Sequence, residues 1–239
     1  MDTYEHFASL VEWAPGVKTI LDAPAGPGRI SRMLKDKKYE VTACDIHPEV
    51  FEPKDVKCDP ADLNARLPYP DASFDMVVCR EGIEHVENQF HTAREFRRVL
   101  KPGGWLLFST PNLMCIRGRL AMLLVGGRDL KDRPPLDKLP YTGGDHINIK
   151  GYLDLRAVFR RSGFQIEKVT TYTWSVTSVV WAWLIPFIML FSWRSFRREK
   201  FAVQREANKQ VWKHLFSPSM LFGQKLIVLA KVEAPEPAK

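Results

Sequence analysis

A strand, a glycine-rich bend and a helix within residues 17–37 constrain the fold of this chain more than any other feature. Residues 17–21 form an apolar and β-branched run, which is typical of a strand buried in a parallel sheet. In the bend that follows, Gly26 and Gly28 remove the Cβ where the backbone turns sharply and a ligand can approach. The next apolar residues recur at helical spacing. This pattern predicts the opening unit of an α/β sheet.

A second apolar run begins VTAC and ends at the acid Asp45, 17 residues beyond Gly28. A carboxylate at the end of the second strand is positioned to bind both hydroxyls of a ribose. A glycine-rich bend alone is weak evidence, because structural corners use glycine as well. The bend and the acid together indicate an adenosine-containing cofactor bound to a doubly wound sheet.

Strand-like and helical segments alternate along the chain, which favours a mostly parallel sheet with helices on both faces. We predict a single α/β domain over residues 1–232, a turn at 101–104 and a disordered tail over 233–239. The strands are predicted near 17–23, 41–46, 56–59, 74–79, 105–110, 165–172 and 224–232, and the helices near 3–13, 28–37, 88–100 and 150–162.

Five blocks in order resemble the class I S-adenosylmethionine (SAM)-dependent methyltransferases, in particular the small-molecule groups of types 11 and 23. The blocks are LDAPAGPG, CDIHPEV, LPYPDASFDMVVCREGIEHVEN, EFRRVLKPGGWLLFSTPN and RRSGF. Pro24 stands where the family has its first glycine, and Ala25 replaces a common cysteine; we expect a tolerated variant, because proline fixes φ near a value that the turn can use. The resemblance implies a Rossmann-like sheet of seven strands with an antiparallel last strand, and SAM as cofactor.

The resemblance also implies which residues contact SAM. The contacts are divided between the amino-acid end, the ribose, the adenine and the methionine portion, and they fall on Asp22, Ala23, Gly26, Gly28, Asp45, Ile46, Asp62, Leu63 and Arg80. Asp45 is expected at the ribose and Arg80 at the methionine portion. Asp59 is the alternative to Asp62 at the adenine. A capping or turn-forming role is the structural alternative for the aspartates.

A general base is needed only if the methyl acceptor must lose a proton, as a hydroxyl does. His85 and His146 are the candidates, because histidine titrates near neutral pH, and Asp145 could also reach the pocket. His85 is alternatively a structural histidine, and the Asp145–His146 pair is alternatively a helix cap. The other histidines (6, 47, 91 and 214) are interpreted as surface or loop positions, and no metal site is predicted from the cysteine spacing.

Two long insertions, 111–149 and 173–223, are predicted to form a cap that faces the substrate or a membrane. Residues 174–193 carry no charge and are long enough to span a bilayer, but a span would separate the last strand from its sheet. Pro186 can break this stretch into an interfacial hairpin, and its tryptophans suit a membrane interface. Surface association through 174–200 is therefore expected, with a buried helix, a dimer interface and a true span as alternatives.

Charge is uneven: residues 1–112 carry 14 basic against 18 acidic side chains (net −4), and residues 113–239 carry 21 against 10 (net +11). The basic half predicts an anionic partner or a solvated surface. Our leading hypothesis is a SAM-dependent enzyme at the inner face of the cell membrane that O-methylates a lipid-linked glycan in lipopolysaccharide or glycolipid biosynthesis. The alternatives are a quinone O- or C-methyltransferase, a nucleic-acid methyltransferase, which the missing tetrapeptide after the fourth strand disfavours, and a non-catalytic scaffold.

Overall fold

The computed structural model of the protein describes residues 2–126 and 146–233. In these ranges a seven-stranded sheet has the order β3-β2-β1-β4-β5-β7-β6, with β7 antiparallel to both neighbours and the other pairs parallel. The predicted α/β fold is confirmed, including the antiparallel last strand. The strands are β1 Thr19–Asp22, β2 Glu40–Asp45, β3 Cys58–Pro60, β4 Phe74–Arg80, β5 Leu100–Pro111, β6 Phe164–Thr170 and β7 Lys225–Val232.

Helices cover both faces of the sheet. Successive residues of a strand point to opposite faces, so Met76 lies in the apolar cluster of one face and Val77 in that of the other. Helices α1 and α2 pack on the first face, and α3, α5 and α8 on the second. The helices are α1 Thr3–Ser9, α2 Arg29–Asp36, α3 Gln89–Val99, α4 Ile116–Val125, α5 Tyr152–Arg161, α6 Val176–Val180, α7 Ile185–Phe196, α8 Ala202–Leu215 and α9 Pro218–Phe222.

The predicted turn at 101–104 lies inside β5 instead of before it. Leu100 already pairs with Phe74, and the register then shifts so that Trp105 pairs with Met76. Gly103 takes a positive φ of 75° within this irregularity, which glycine adopts without a steric penalty. Strand β5 therefore begins directly after α3.

The insertion between β6 and β7 contains α6 to α9, and its two ends meet. Trp174 forms an antiparallel bridge with Gly223, and the Gln224 backbone N–H donates to the Thr173 carbonyl at 2.9 Å. The uncharged stretch is divided into α6, a 3₁₀ turn at Ala182–Leu184 and α7, with Pro186 in the first turn of α7, where a missing N–H costs nothing. No helix in the described ranges has both the length and the apolar character needed to cross a bilayer.

Candidate active site

The carboxyl ends of β1, β2 and β4 meet at one edge of the sheet, and the first site residue there is Asp22. Its side chain is 1% exposed, and its Oδ2 accepts a 2.6 Å hydrogen bond from the Ser31 hydroxyl of α2. Burial raises the pKa of Asp22 to about 7, the Ser31 hydrogen bond opposes this rise, and the Asp45 carboxylate adds to it. Asp22 therefore fixes the position of α2 beneath the bend and carries a carboxyl group that titrates near neutral pH.

The glycine-rich bend leaves space for a ligand. Gly26 has a φ of +53°, and a Cβ built on it meets no atom within 4 Å. Gly28 begins α2 with a φ of +83°, and a Cβ there would lie 2.5 Å from Pro53 Cδ. The Ala23–Pro24 bond is cis, and the Pro24 ring packs against Gly82, whose added Cβ would lie 2.2 Å from Pro24 Cδ. The unusual proline thus fits the bend because residue 82 is a glycine, a partner that the sequence analysis missed.

Asp45 is oriented by two backbone donors. Its Oδ2 accepts from the Gly26 N–H at 2.7 Å, and its Oδ1 accepts from the His47 N–H at 2.9 Å. Each carboxylate oxygen has a second lone pair for a ribose hydroxyl. Ile46 follows with 59% of its side chain exposed, which provides an apolar surface beside the carboxylate. The turn-forming role and the predicted ribose role of Asp45 are therefore compatible.

The two candidates for the adenine position differ in their surroundings. Asp59 lies within β3 and is occupied: it accepts from the Tyr69 hydroxyl at 3.2 Å and pairs with Lys57 at 2.7 Å. Asp62 lies just beyond the carboxyl end of β3, and its Oδ1 accepts from the Asn64 backbone at 2.8 Å. Ligands bind beyond the carboxyl ends of strands in such sheets, so this arrangement favours Asp62, with the buried Leu63 beside it.

Arg80 ends β4 beneath the N-terminal helix. Its guanidinium lies 3.7 Å from the centre of the Tyr4 ring and 5.7 Å from that of Tyr172, and its Nη2 donates to the Thr3 hydroxyl at 3.4 Å. The buried Nε has no hydrogen-bond partner within residues 2–126 and 146–233. The guanidinium thus retains an unused donor. Tyr4 was not predicted as a site residue, since nothing in a short amphipathic helix signals which of its rings covers a site.

His85 and His146 come together at the same edge, although 61 positions separate them in sequence. Their ring centres lie 4.9 Å apart. Asn148 holds the second segment in place: its backbone N–H donates to the Glu84 carbonyl at 3.0 Å, and its carbonyl accepts from the Gln89 side chain at 2.7 Å. The two predicted base candidates therefore share one location. Asp145, the third, lies outside the described residues.

Glu84 completes a cluster with the two histidines. One potential ligand atom from each of Glu84, His85 and His146 lies within 4.8 Å of the others, a donor set that can hold a divalent cation. The cysteine spacing predicts no metal site, and a site built from histidine and carboxylate ligands lies outside that pattern. Burial, followed by the neighbouring Glu81 carboxylate, raises the pKa of Glu84. The nearby Thr110 side chain lowers the pKa of Glu84 and so opposes this rise. Neither Glu84 carboxylate oxygen accepts a hydrogen bond of normal geometry from the described residues.

Glu81 connects three strands beside this cluster, and the sequence analysis did not single it out. Its Oε1 accepts from the Ser109 hydroxyl of β5 at 2.7 Å and from the Tyr172 hydroxyl at 3.3 Å. Its Oε2 pairs with Lys225 of β7. Glu81 also has a φ of +52°, which is costly for a residue with a side chain. The strain is retained at the rim of the site, where such residues concentrate.

One histidine interpretation was wrong. His214, expected at the surface or in a loop, is 7% exposed, and its Nδ1 lies 2.5 Å from the Tyr152 hydroxyl. Arg156 donates to that same hydroxyl at 3.4 Å, so Tyr152 donates its proton to His214. Burial, with help from Arg156 and Lys213, lowers the pKa of His214 to about 4. His214 lies on α8, whose helical spacing places it against the second face of the sheet.

A glycine bend, a ribose-type acid and a histidine pair at the carboxyl edge of this sheet define an α/β enzyme that binds an adenosine-containing cofactor. A family model described as a methyltransferase domain matches residues 4–169, well over half of the chain, and the protein belongs to this family.

Curated relatives agree with this family over part of their length. The chain is 36% identical over 107 residues to a 2-methyl-6-phytyl-1,4-hydroquinone methyltransferase of Synechocystis, which covers 41% of this chain and 33% of the relative. It is 31% identical over 107 residues to a ubiquinone biosynthesis O-methyltransferase of Chromobacterium violaceum, which covers 40% and 45%, respectively. The chain therefore matches less than half of the length of these relatives.

A solved SAM-dependent methyltransferase from Archaeoglobus fulgidus has the same fold. The two structures superimpose with a TM-score of 0.55 over 96% of this chain and 94% of the other, at 17% identity. The fold of this chain is thus that of the class I SAM-dependent methyltransferases.

The residues present fit SAM. Three features are compatible with the cofactor: Gly26 leaves open space at the bend, the Asp45 carboxylate is oriented, and the buried Arg80 Nε has no partner among the described residues. SAM supplies a methyl group on a sulfonium that departs as a neutral thioether, so the activation lies in the cofactor. In an enzyme of this kind, the protein holds the acceptor in line, excludes water and, for a hydroxyl acceptor, takes up a proton.

Proposed function

We propose that this methyltransferase O-methylates an acceptor carried on a lipid, with a lipid-linked glycan as the leading candidate, and that it does so as a peripheral protein at the inner face of the cell membrane. His85 or His146 takes up the hydroxyl proton, with Asp145 as a further candidate. The observation that supports the proposal most strongly is an exposed apolar surface beside the site.

This surface, the apolar cap, consists of large hydrophobic side chains on α4, α6 and α7 and in the turn between α6 and α7. Leu123 is 79% exposed, Val176 78% and Phe191 71%. A soluble monomer rarely exposes a continuous apolar patch of this kind, and tryptophans at its edge are typical of a membrane interface. The members of the apolar cap are Met122, Leu123, Leu124, Val176, Val179, Val180, Trp181, Trp183, Phe187, Leu190, Phe191 and Trp193.

The apolar cap begins at the edge of the sheet that carries the site. Helix α4 follows the carboxyl end of β5, and α6 follows that of β6. The Arg117 N–H of α4 donates to the Ser178 hydroxyl of α6 at 3.1 Å, which joins the two helices. A lipid-borne acceptor at a membrane that contacts the cap would therefore approach the His85–His146 pair without leaving the bilayer surface.

A ring hydroxyl or ring carbon of an isoprenoid quinone is the second candidate acceptor. The names of three relatives support it: the Synechocystis hydroquinone enzyme, the Chromobacterium ubiquinone enzyme and a demethylmenaquinone methyltransferase of Deinococcus radiodurans. Isoprenoid quinones are membrane lipids, so this candidate uses the same apolar cap and differs in the chemistry next to the methylated atom.

The test follows a radiolabelled methyl group from SAM into an extract of the source cells, which is then partitioned between solvents. Label in the organic phase or at the interphase supports a lipid-borne acceptor. Mild acid hydrolysis then releases labelled sugar from a glycan lipid and leaves the label with a quinone. The Asp45→Asn variant, in which weaker cofactor binding should reduce the labelling, is the control. Label confined to nuclease-sensitive or water-soluble material would contradict the proposal.

A further inference from the structure

A basic groove lies between α5 and α8, away from the cofactor site. It is an open groove with a volume of about 720 Å³, within the range of about 300–1,000 Å³ that small-ligand sites occupy. Four arginines line it, Arg156, Arg160, Arg161 and Arg198, against a single acid, Glu199. The Glu199 carboxylate accepts from the Phe201 N–H at 2.9 Å at the start of α8, so it is already used. The groove therefore presents an excess of positive charge.

Two of the four arginines are held by neighbours, and two are not. Arg156 donates to the Gln210 Oε1 at 3.0 Å, and Arg160 pairs with Glu233. The guanidinium groups of Arg161 and Arg198 are exposed and form no hydrogen bond or ion pair with any residue that the structure describes. Guanidinium groups bind phosphate oxygens in a bidentate manner, and one at the end of α5 and one in the turn after α7 can bind one phosphate together.

The groove adjoins the end of α7, the helix that carries part of the apolar cap. Ser195 and Phe196, at the end of α7, form part of its wall, and the exposed Leu190 and Phe191 lie on the preceding turns of the same helix. The Arg197 guanidinium, one residue beyond α7, lies 4.6 Å from the centre of the Trp193 ring. Along the chain, the apolar residues of α7 come first, then Trp193 and then Arg197. A bilayer has the same order of environments, from acyl chains through the interface to the phosphates.

We infer that this groove binds the phosphate of an anionic phospholipid, so that the headgroup lies between Arg161 and Arg198 while the acyl chains lie along α7. The inference rests on the membrane association in the proposed function and adds a headgroup site to it. A soluble polyanion such as RNA would use the arginines but leave the adjoining apolar helix without a partner. A phospholipid uses both, and the position of the arginines at the end of this exposed helix is why a lipid is the occupant we choose.

The experiment measures partition of the full chain onto vesicles of phosphatidylcholine, with and without phosphatidylglycerol, at low ionic strength. An arginine near an anionic membrane strengthens binding about fivefold, so the Arg161→Gln/Arg198→Gln variant should bind phosphatidylglycerol vesicles about 25-fold more weakly. Its binding to pure phosphatidylcholine should not change, because the apolar cap is intact. Binding of S-adenosylhomocysteine should also be unchanged, which verifies the fold.

Arg32→Gln/Lys54→Gln is the matched control, because it removes two exposed positive charges at the opposite edge of the sheet. Equal losses in the two double variants would overturn the inference, since the effect would then reflect net charge alone. Binding of a single-stranded oligonucleotide that the groove variant loses and the control keeps would assign the groove to nucleic acid and overturn it as well. Failure of the unaltered protein to bind any vesicle would reject the membrane proposal itself.

Discussion

At the scale of single residues, the site consists of groups that perform a structural task and keep capacity for a ligand. Asp45 accepts two backbone hydrogen bonds and still has a lone pair on each oxygen. Arg80 lies against Tyr4 and keeps a buried Nε without a described partner. If these groups hold the cofactor as predicted, binding orders few further side chains, because neighbouring groups already fix their positions.

Asp45→Asn should weaken S-adenosylhomocysteine binding by about 10- to 100-fold. The amide keeps one acceptor oxygen but turns an N–H₂ group toward a backbone donor or a ribose hydroxyl, which costs about 1.5–3 kcal/mol. Isothermal titration calorimetry measures the affinity. Glu49→Gln, an exposed carboxylate nearby, is the control and should bind normally. Unchanged affinity in Asp45→Asn would remove Asp45 from the ribose position.

The variants His85→Ala and His146→Ala should distinguish an effect on turnover from an effect on cofactor binding. If one of them is the base, its variant should lose at least tenfold in turnover at saturating SAM, about 1.4 kcal/mol of barrier, with cofactor affinity unchanged. Because the rings are 4.9 Å apart, the double variant should cost no more than the more damaging single one. If neither variant lowers turnover, neither histidine is the base.

Gly82→Ala should destabilise the fold by about 1–3 kcal/mol, because its Cβ would lie 2.2 Å from the Pro24 ring. Urea unfolding measures the free energy. Gly103→Ala is the matched control: Gly103 has a φ of +75° and no atom near its added Cβ, so this change reports strain without a clash. If Gly82→Ala were as stable as the unaltered protein, the loops that carry Pro24 and Gly82 would be able to move apart.

At the scale of secondary-structure elements, the insertion between β6 and β7 has two parts with different surroundings. Helix α8 buries Val211 and Leu215 in the core of the sheet. Helix α7 buries none of its residues, and only Phe196 at its end packs against that core. Helix α8 therefore belongs to the folded domain, whereas α7 is exposed and available to a partner.

Phe187→Ser/Leu190→Ser should reduce partition onto phosphatidylcholine vesicles without changing stability. Each full burial of such a side chain is worth about 1.5–3 kcal/mol, so partial insertion of both should still give at least a tenfold loss. Vesicle flotation measures the partition. Val50→Ser, an exposed apolar residue far along the chain, should have no effect. Undiminished flotation of the double variant would exclude α7 from the membrane contact.

The elements themselves were largely predictable, and the errors have local causes. Continuous apolar runs located central strands such as β4 and β7, because strands buried on both faces leave no polar alternation in the sequence. Residues 101–104 were placed before β5, since a proline and two glycines predict a turn and cannot reveal that pairing already starts at Leu100. Pro186 was expected to interrupt a helix, whereas the break falls at Trp181 and the proline lies in the first turn of α7.

The site was predictable only where neighbours in sequence are neighbours in space. Asp22, Gly26 and Gly28 lie in one bend, so the motif contains them all. The cluster of Glu84, His85 and His146 depends on Asn148 binding a distant loop, and no local pattern encodes that contact. The roles of the predicted SAM and base residues remain predictions that the variants above test.

At the scale of the whole molecule, stability should depend on pH through His214. Its pKa is lowered to about 4 in the folded protein, from about 6.5 when unfolded, so its stabilising contribution is complete above pH 6.5 and is lost as the pH falls toward 4. The free energy of unfolding should fall by about 2 kcal/mol between pH 7 and pH 5 from this group.

The comparison protein for this measurement is His214→Asn, which keeps an acceptor for Tyr152 and does not titrate. Asp22, whose pKa is raised to about 7, contributes the opposite trend, because its protonation favours the folded state. This contribution is common to both proteins and cancels in their difference. Urea unfolding at both pH values gives that difference, and a pH-independent gap between them would contradict a neutral, buried His214.

The position of β7 has a consequence for synthesis. β7 is the last strand of the described sheet in chain order, yet it lies between β5 and β6. Until the ribosome has released it, β5 and β6 each present an unpaired backbone edge, and the gap between them cannot close. The final hydrogen-bonded ladders join residues more than 100 positions apart for β5 and more than 50 apart for β6, so they form late and slowly. During synthesis, the edges of β5 and β6 that face β7 therefore stay unpaired until β7 has been made.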